Sequence, residues 1–199
     1  MERCFFWLLL FFIVLAYDLY LEKQYILIYY TIQTFLLEIF FFVALCLSKR
    51  YPRANYWKRH FFDTVLAPAI VVCLGFWLII APTKINGPKP QNGVFVVVTH
   101  GFNVVALWDE MMPIQSETVW KPLLFTFLYN LFLIAYVGAG GRSISGKLPY
   151  WYCDYATPTG WVFAVLNIFA VGLLHVVAGR FSPTSSHNIL KRSNVEHLI

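Results

Sequence analysis

The chain has 199 residues, of which 59% are hydrophobic and only 13% charged, with a formal net charge of +5 and a mean hydropathy of +0.64. Soluble domains average about 45–50% apolar and about 25% charged residues, so this composition excludes a water-soluble globular protein. The basic residues sit beside apolar segments, with no soluble binding module around them, which excludes nucleic acid as a partner.

In chain order, six segments approach the ~20 residues that a helix needs to cross the hydrocarbon. They are 5–19, 25–47, 61–81, 94–112, 123–140 and 160–178. The first resembles the apolar part of a signal peptide, but Arg3 is the one basic residue before it and no clean small-x-small site follows. An uncleaved first span is therefore expected. The fold class expected is all-α, a polytopic membrane bundle of about six transmembrane helices around a lipid-accessible cavity. Residues 1–180 form that domain and 181–199 a polar tail. An aromatic share of 19% suits a protein with two lipid–water boundaries.

Orientation follows from the short loops. Residues 48–60 hold Lys49, Arg50, Arg53, Lys58 and Arg59. Placing this loop and both termini on one side gives that side ten Lys and Arg against five on the other (Lys23, Lys84, Lys89, Arg142 and Lys147). The positive-inside rule then expects cytosolic N- and C-termini. Of the four cysteines, Cys4, Cys46 and Cys73 lie in or beside apolar spans and Cys153 in a polar loop. None has metal-ligand spacing, so small buried hydrophobes are the expected role. The glycines at 138, 140 and 141 mark a helix stop.

The polar residues inside the spans need a reason to be there. In the second span, Thr31, Thr34, Phe35 and Glu38 share one helical face. A threonine hydroxyl can satisfy itself on a carbonyl of the preceding turn. Glu38 has no such recourse and must face protein, since a mid-depth carboxyl costs several kcal/mol unless neutral, paired or wetted. The third span opens with His60 and Asp63 beside Lys58 and Arg59, where a local ion pair is expected, and contains Pro68, which removes a helix hydrogen bond.

The fourth segment, VFVVVTHGFNVVALWDEMM, carries Thr99, His100 and Asn103 near its middle, then Asp109 and Glu110. At helical spacing His100 and Asn103 fall on one face, as in a cavity wall or a polar helix–helix contact. The fifth span holds Thr126 and Asn130, and the sixth Asn167 and His175. Between them, an aromatic-rich loop with Tyr150, Trp151, Tyr152 and Tyr155 is expected to re-enter the interfacial layer. Neither a repeat nor a pair of broken helices supports a transporter.

Four blocks carry a family resemblance: YYTIQTFLLEIFFF (29–42), HFFDTVLAPAIVVCLGFWLI (60–79), HGFNVVALWDEM (100–111) and SGKLPYWYCDYATPTGW (145–161). In this order they resemble the androgen-induced protein and androgen-dependent TFPI-regulating protein family of six-span membrane proteins. The resemblance implies a threonine hydrolase of fatty acid esters of hydroxy fatty acids, with a threonine and a histidine from different spans. The family's threonine falls on Thr31. Its histidine segment carries two histidines three residues apart, the second assigned to catalysis; here those positions hold His100 and Asn103. A carboxamide cannot serve as a general base, whereas neutral imidazole can. Two expectations follow. One is a lipid ester hydrolase in which Thr31 attacks, His100 accepts the proton, and Asn103 donates a hydrogen bond to the oxyanion or orients a ligand. The other is a pseudoenzyme that binds lipid or signals on the same scaffold. Membrane lipids and a fatty-acyl ester are the expected partners, and no metal or organic cofactor is implied.

Overall fold

A computed structural model describes residues 2–22, 27–81, 97–143, 146–150 and 152–182. Long apolar runs without water to bond their peptide groups satisfy the backbone internally, and the described residues are accordingly helical. The helices are α1 (Glu2–Glu22), α2 (Tyr30–Ser48), α3 (Ala54–Gly75), α4 (Asn103–Asp109), α5 (Trp120–Gly138) and α6 (Pro158–Phe181). Two π turns, Phe76–Ile80 and Val98–Phe102, extend α3 and precede α4, and a 3₁₀ turn, Ser116–Val119, leads into α5.

Among the described residues, five helices are long and apolar enough to cross a membrane: those containing 3–20, 30–48, 54–80, 116–138 and 158–181. The chain is an integral, multi-pass membrane protein with an all-α bundle. Its fourth segment differs from the expected full-length span. Residues 98–109 are helical, a π turn followed by α4, while Val94 to Phe95 and Val96 lie outside the described residues. So does the tail from Pro183 onward; α6 itself runs on to Phe181.

The bundle is built on α3, which packs against α2, α4, α5 and α6, with α1 added on the far side of α2. Pro68 is accommodated within α3 and is buried there. The buried apolar residues form two clusters. One is a phenylalanine-rich core: Phe11 meets Phe35 at 4.6 Å and Phe42 edge-on at 5.5 Å, while Phe41 packs on Phe62 at 5.4 Å. The other gathers Tyr30, Val72, Tyr129, Leu133 and Cys153. Apolar side chains also face outward, such as Val165, Phe169 and Leu78, each more than 60% exposed. An apolar outer face on this scale is what lipid contact requires.

The end of the bundle that holds the α3 and α5 N-termini is polar. Asp63 is buried and bonds Lys121 Nζ at 3.0 Å and Arg59 Nε at 3.2 Å. The expected local pair with Arg59 is present, and Lys121 adds a second partner that ties α3 to α5. At the same end Arg3 meets Asp109 at 3.6 Å, an exposed contact of little energetic weight. At the opposite end α5 stops as its glycines predict. Gly140 adopts φ +85°, and the N–H groups of Gly140 and Gly141 bond the carbonyls of Val137 and Tyr136, which closes a Schellman cap.

Candidate active site

Thr31 lies in the first turn of α2. That turn has orphan N–H groups by geometry, since no preceding helical carbonyl reaches them. Tyr29 O accepts from the Ile32 and Gln33 N–H groups, both at 3.1 Å. The Tyr30 N–H goes outside the helix, to the hydroxyl oxygen of Tyr150 at 3.0 Å.

Facing Thr31 is His100, at the centre of the second π turn. Its Nε2 is 3.4 Å from Thr31 Oγ1, at the long end of hydrogen bonding, as is common before a substrate closes a site. Its Nδ1 is 2.8 Å from Thr99 Oγ1. The ring lies against Phe76 with centroids 3.9 Å apart. The His100 carbonyl accepts from Trp77 Nε1 at 3.0 Å. Phe76 and Trp77 belong to the first π turn, so the two irregular turns brace each other around the imidazole. Single π turns inside helices recur at functional sites because they re-aim side chains.

That re-aiming separates His100 from Asn103. Successive residues of a π turn rotate less about the axis than in an α-helix, because each hydrogen bond closes one residue later. The shared face expected of the two residues is therefore lost. Asn103 is buried; its Nδ2 donates to Glu38 Oε1 at 3.3 Å and its Oδ1 accepts from the Val104 N–H at 2.8 Å. Glu38 is fully buried, facing protein as its cost in lipid demands. Its other oxygen, Oε2, has no partner among the described residues, and nor does Thr34 Oγ1. Thr31 thus pairs with His100, and one to two turns further along α2 Glu38 pairs with Asn103.

Thr31 and His100 line a cavity of about 340 Å³, and Asn103 is not among its lining residues. Its walls come from the α2 N-terminus, the end of α3 with its π turn, the C-terminal half of α5, α6 and the loop before α6. They are mainly apolar, with Val71, Leu74, Ile79, Leu133, Phe163 and Leu174 among them. Asn130 and Asn167 are the polar residues deeper in; Asn130 Nδ2 is spent on Thr126 O at 2.8 Å. The volume and lining match a pocket for a hydrocarbon chain, with polarity concentrated where Thr31 and His100 meet.

The aromatic loop closes the polar end. Tyr150 stacks on Tyr152 at 5.1 Å, Tyr152 stacks on Phe163 of α6 at 4.6 Å, and Tyr29 packs edge-on to Tyr150 at 5.7 Å. This loop, expected from its aromatics to re-enter the interfacial layer, lines the cavity through Tyr150, Tyr152, Cys153 and Tyr155; Trp151 lies outside the described residues. Close approach requires a glycine at 160, where a Cβ would stand 2.7 Å from Asp154 O. Burial pushes the Cys153 thiol up to about 12 and raises the Tyr150 phenol above its usual range. Both groups therefore keep their protons at neutral pH.

His175 is not part of this site. Its Nε2 lies 3.2 Å from Gln115 O and 3.3 Å from Thr118 Oγ1, which fastens α6 to the 3₁₀ turn near the Asp63 end. Among the described residues no three His, Cys, Asp or Glu side chains gather as a metal site. The sequence singled out Thr31 and His100. It gave no role to Thr99, Phe76 or Trp77, and treated Tyr150 only as an interfacial aromatic. Comparison with family models, with curated proteins and with solved structures returns no match.

Proposed function

We propose that this protein is a membrane-embedded ester hydrolase in which Thr31 is the nucleophile and His100 its general base. The observation that carries the reading is the 3.4 Å approach of Thr31 Oγ1 to His100 Nε2 at the polar end of an apolar cavity. With hydrogen on Nδ1, His100 donates to Thr99 and presents the Nε2 lone pair to the Thr31 hydroxyl. Thr99 here does the orienting work that a carboxylate does in many triads. Thr31 Oγ1 attacks the ester carbonyl carbon as its proton passes to Nε2, and the carbonyl π electrons move onto oxygen. Collapse breaks the ester C–O bond, and the departing alkoxide takes the proton from His100. Water then cleaves the acyl-threonine by the same base. The cavity fits a fatty-acyl chain, and the resemblance to the androgen-induced protein family suggests fatty acid esters of hydroxy fatty acids as substrates.

The geometry also supports His100 over position 103 as the base. In the resembling family the second histidine is the assigned base; in this chain Asn103 is committed to Glu38, and the imidazole that reaches Thr31 is that of His100. Purified protein should react with a serine/threonine-directed fluorophosphonate and cleave a branched fatty ester, and Thr31→Ala should abolish both. Equal labelling of Thr31→Ala, or a parent protein that binds lipid without any turnover, would sink the hydrolase reading and favour a lipid-binding pseudoenzyme.

The orientation proposed from the basic residues puts both termini and the Asp63 end in the cytosol. Thr31, at the start of α2, and Tyr150, after α5, then lie toward the opposite face of the membrane.

A further inference from the structure

An ester hydrolase needs, besides nucleophile and base, a donor aimed at the oxygen that becomes negative in the tetrahedral intermediate. The described helices place no cation in the cavity wall. The N–H groups of Ile32 and Gln33 are already bonded to Tyr29 O. Trp77 Nε1 is used on the His100 carbonyl, and Tyr129 donates its hydroxyl to Ile28 O at 3.0 Å. Tyr30 and Thr126 share a hydrogen bond of 2.7 Å. Tyr150 is different. Its oxygen accepts from the Tyr30 N–H at 3.0 Å, and its hydroxyl also meets the side chains of Thr31 and Tyr129, so its proton is shared there at rest and is aimed at the reacting end of the cavity.

We propose that Tyr150 is a catalytic residue, the hydrogen-bond donor that stabilises the oxyanion formed when Thr31 attacks the ester. This rests on the hydrolase reading above. Before reaction the Tyr150 hydroxyl lies beside Thr31, the residue immediately after the one whose N–H it accepts. As the Thr31 Oγ1–carbon bond forms, negative charge appears on the former carbonyl oxygen, two bonds away from Oγ1, and the Tyr150 O–H turns to it without transferring its proton. The hydroxyl is held in advance. The Tyr30 N–H fixes its oxygen, and the Tyr29, Tyr152 and Phe163 rings fix its plane. A donor organised before the reaction costs no rearrangement during it. The loop that lines the cavity would thereby also complete the site.

Tyr150→Phe keeps the ring stack and deletes only the hydroxyl. Expected is a fall in kcat of about 10²-fold or more, the range for loss of one oxyanion donor, with KM within about threefold, because an acyl chain in the ground state does not use this bond. Fluorophosphonate labelling should slow in parallel. Turnover and labelling within about threefold of the parent would overturn the assignment. If the variant melts early, a fatty trifluoromethyl ketone is compared with its secondary alcohol on both proteins. The ketone gains an oxyanion on Thr31 and the alcohol does not, so their affinity ratio is independent of the folded fraction. A drop in that ratio supports Tyr150, and an unchanged ratio overturns it. The failures are separable: a parent that neither labels nor turns over defeats the hydrolase reading itself, whereas an active parent with an equally active Tyr150→Phe defeats only this inference.

Discussion

At the scale of single residues, the site turns on which side chain of the fourth segment reaches Thr31. Imidazole can accept a hydroxyl proton near neutral pH and a carboxamide cannot, so the 3.4 Å contact with His100 and the pairing of Asn103 with Glu38 favour His100 as the base of the proposed hydrolase. Removing a positioned general base costs about 10²–10⁴-fold in rate, and His100→Gln should lose that much kcat. Asn103→His, which restores the second histidine of the resembling family, should leave ester turnover no higher than the parent's, because position 103 points away from the cavity. A gain of tenfold or more in a kinetic assay would show that the second position still reaches Thr31. Thr31 was legible in the sequence through the family resemblance alone, since a membrane threonine usually bonds its own helix. His100 stood out as an ionisable group in an apolar run. The π turn that divides it from Asn103 was not legible: nothing in VTHGF distinguishes it from an α turn, and the choice depends on Phe76 and Trp77, about two dozen residues earlier.

At the scale of elements, the apolar runs announced the helices, because a bilayer leaves the backbone no other way to satisfy itself. Their ends were less legible. α2 begins at Tyr30, several residues later than its hydropathy suggests, and that places Thr31 in the first turn, whose Tyr30 N–H reaches outside the helix to Tyr150. Asp63 shows the same limit. Its neighbours Lys58 and Arg59 suggested a surface pair, yet Lys121 from α5 completes a buried contact at 3.0 Å. Breaking a fully buried pair costs about 3–5 kcal/mol because a lone charge is stranded. Here Arg59 and Lys121 keep some access to water, which reduces the loss. Asp63→Asn should therefore destabilise the bundle by about 1–3 kcal/mol, seen as a lower melting temperature in detergent. A melt within experimental scatter of the parent would show that α3 and α5 are held by apolar packing alone. Thr31 and His100 lie at the other end, so the surviving folded protein should keep its fluorophosphonate labelling rate.

At the scale of the whole molecule, two gradients run along the helix bundle and coincide. Arg3, Lys49, Arg50, Arg53, Arg59, Lys121 and Arg180 belong to the helix ends that gather around Asp63 and Asp109, whereas Thr31, His100, Tyr150 and the cavity belong to the opposite ends. The first gradient was legible as a count of charges. The second was not, because the cavity is assembled from five segments far apart in the chain and no one of them is distinctive alone. If basic loops stay on the cytosolic side, the hydrolase proposed above would cleave its ester near the non-cytosolic face and take acyl chains from that leaflet. Sealed microsomes, whose outer surface is cytosolic, test this. Single replacements Arg53→Cys and Lys147→Cys are exposed to a membrane-impermeant maleimide that adds mass. Native thiols give little background, since Cys4 and Cys153 are buried and Cys46 and Cys73 lie within spans. Arg53→Cys should shift in intact vesicles, and Lys147→Cys only after detergent. The reverse pattern would invert the protein, and with it the leaflet from which Thr31 receives its substrate.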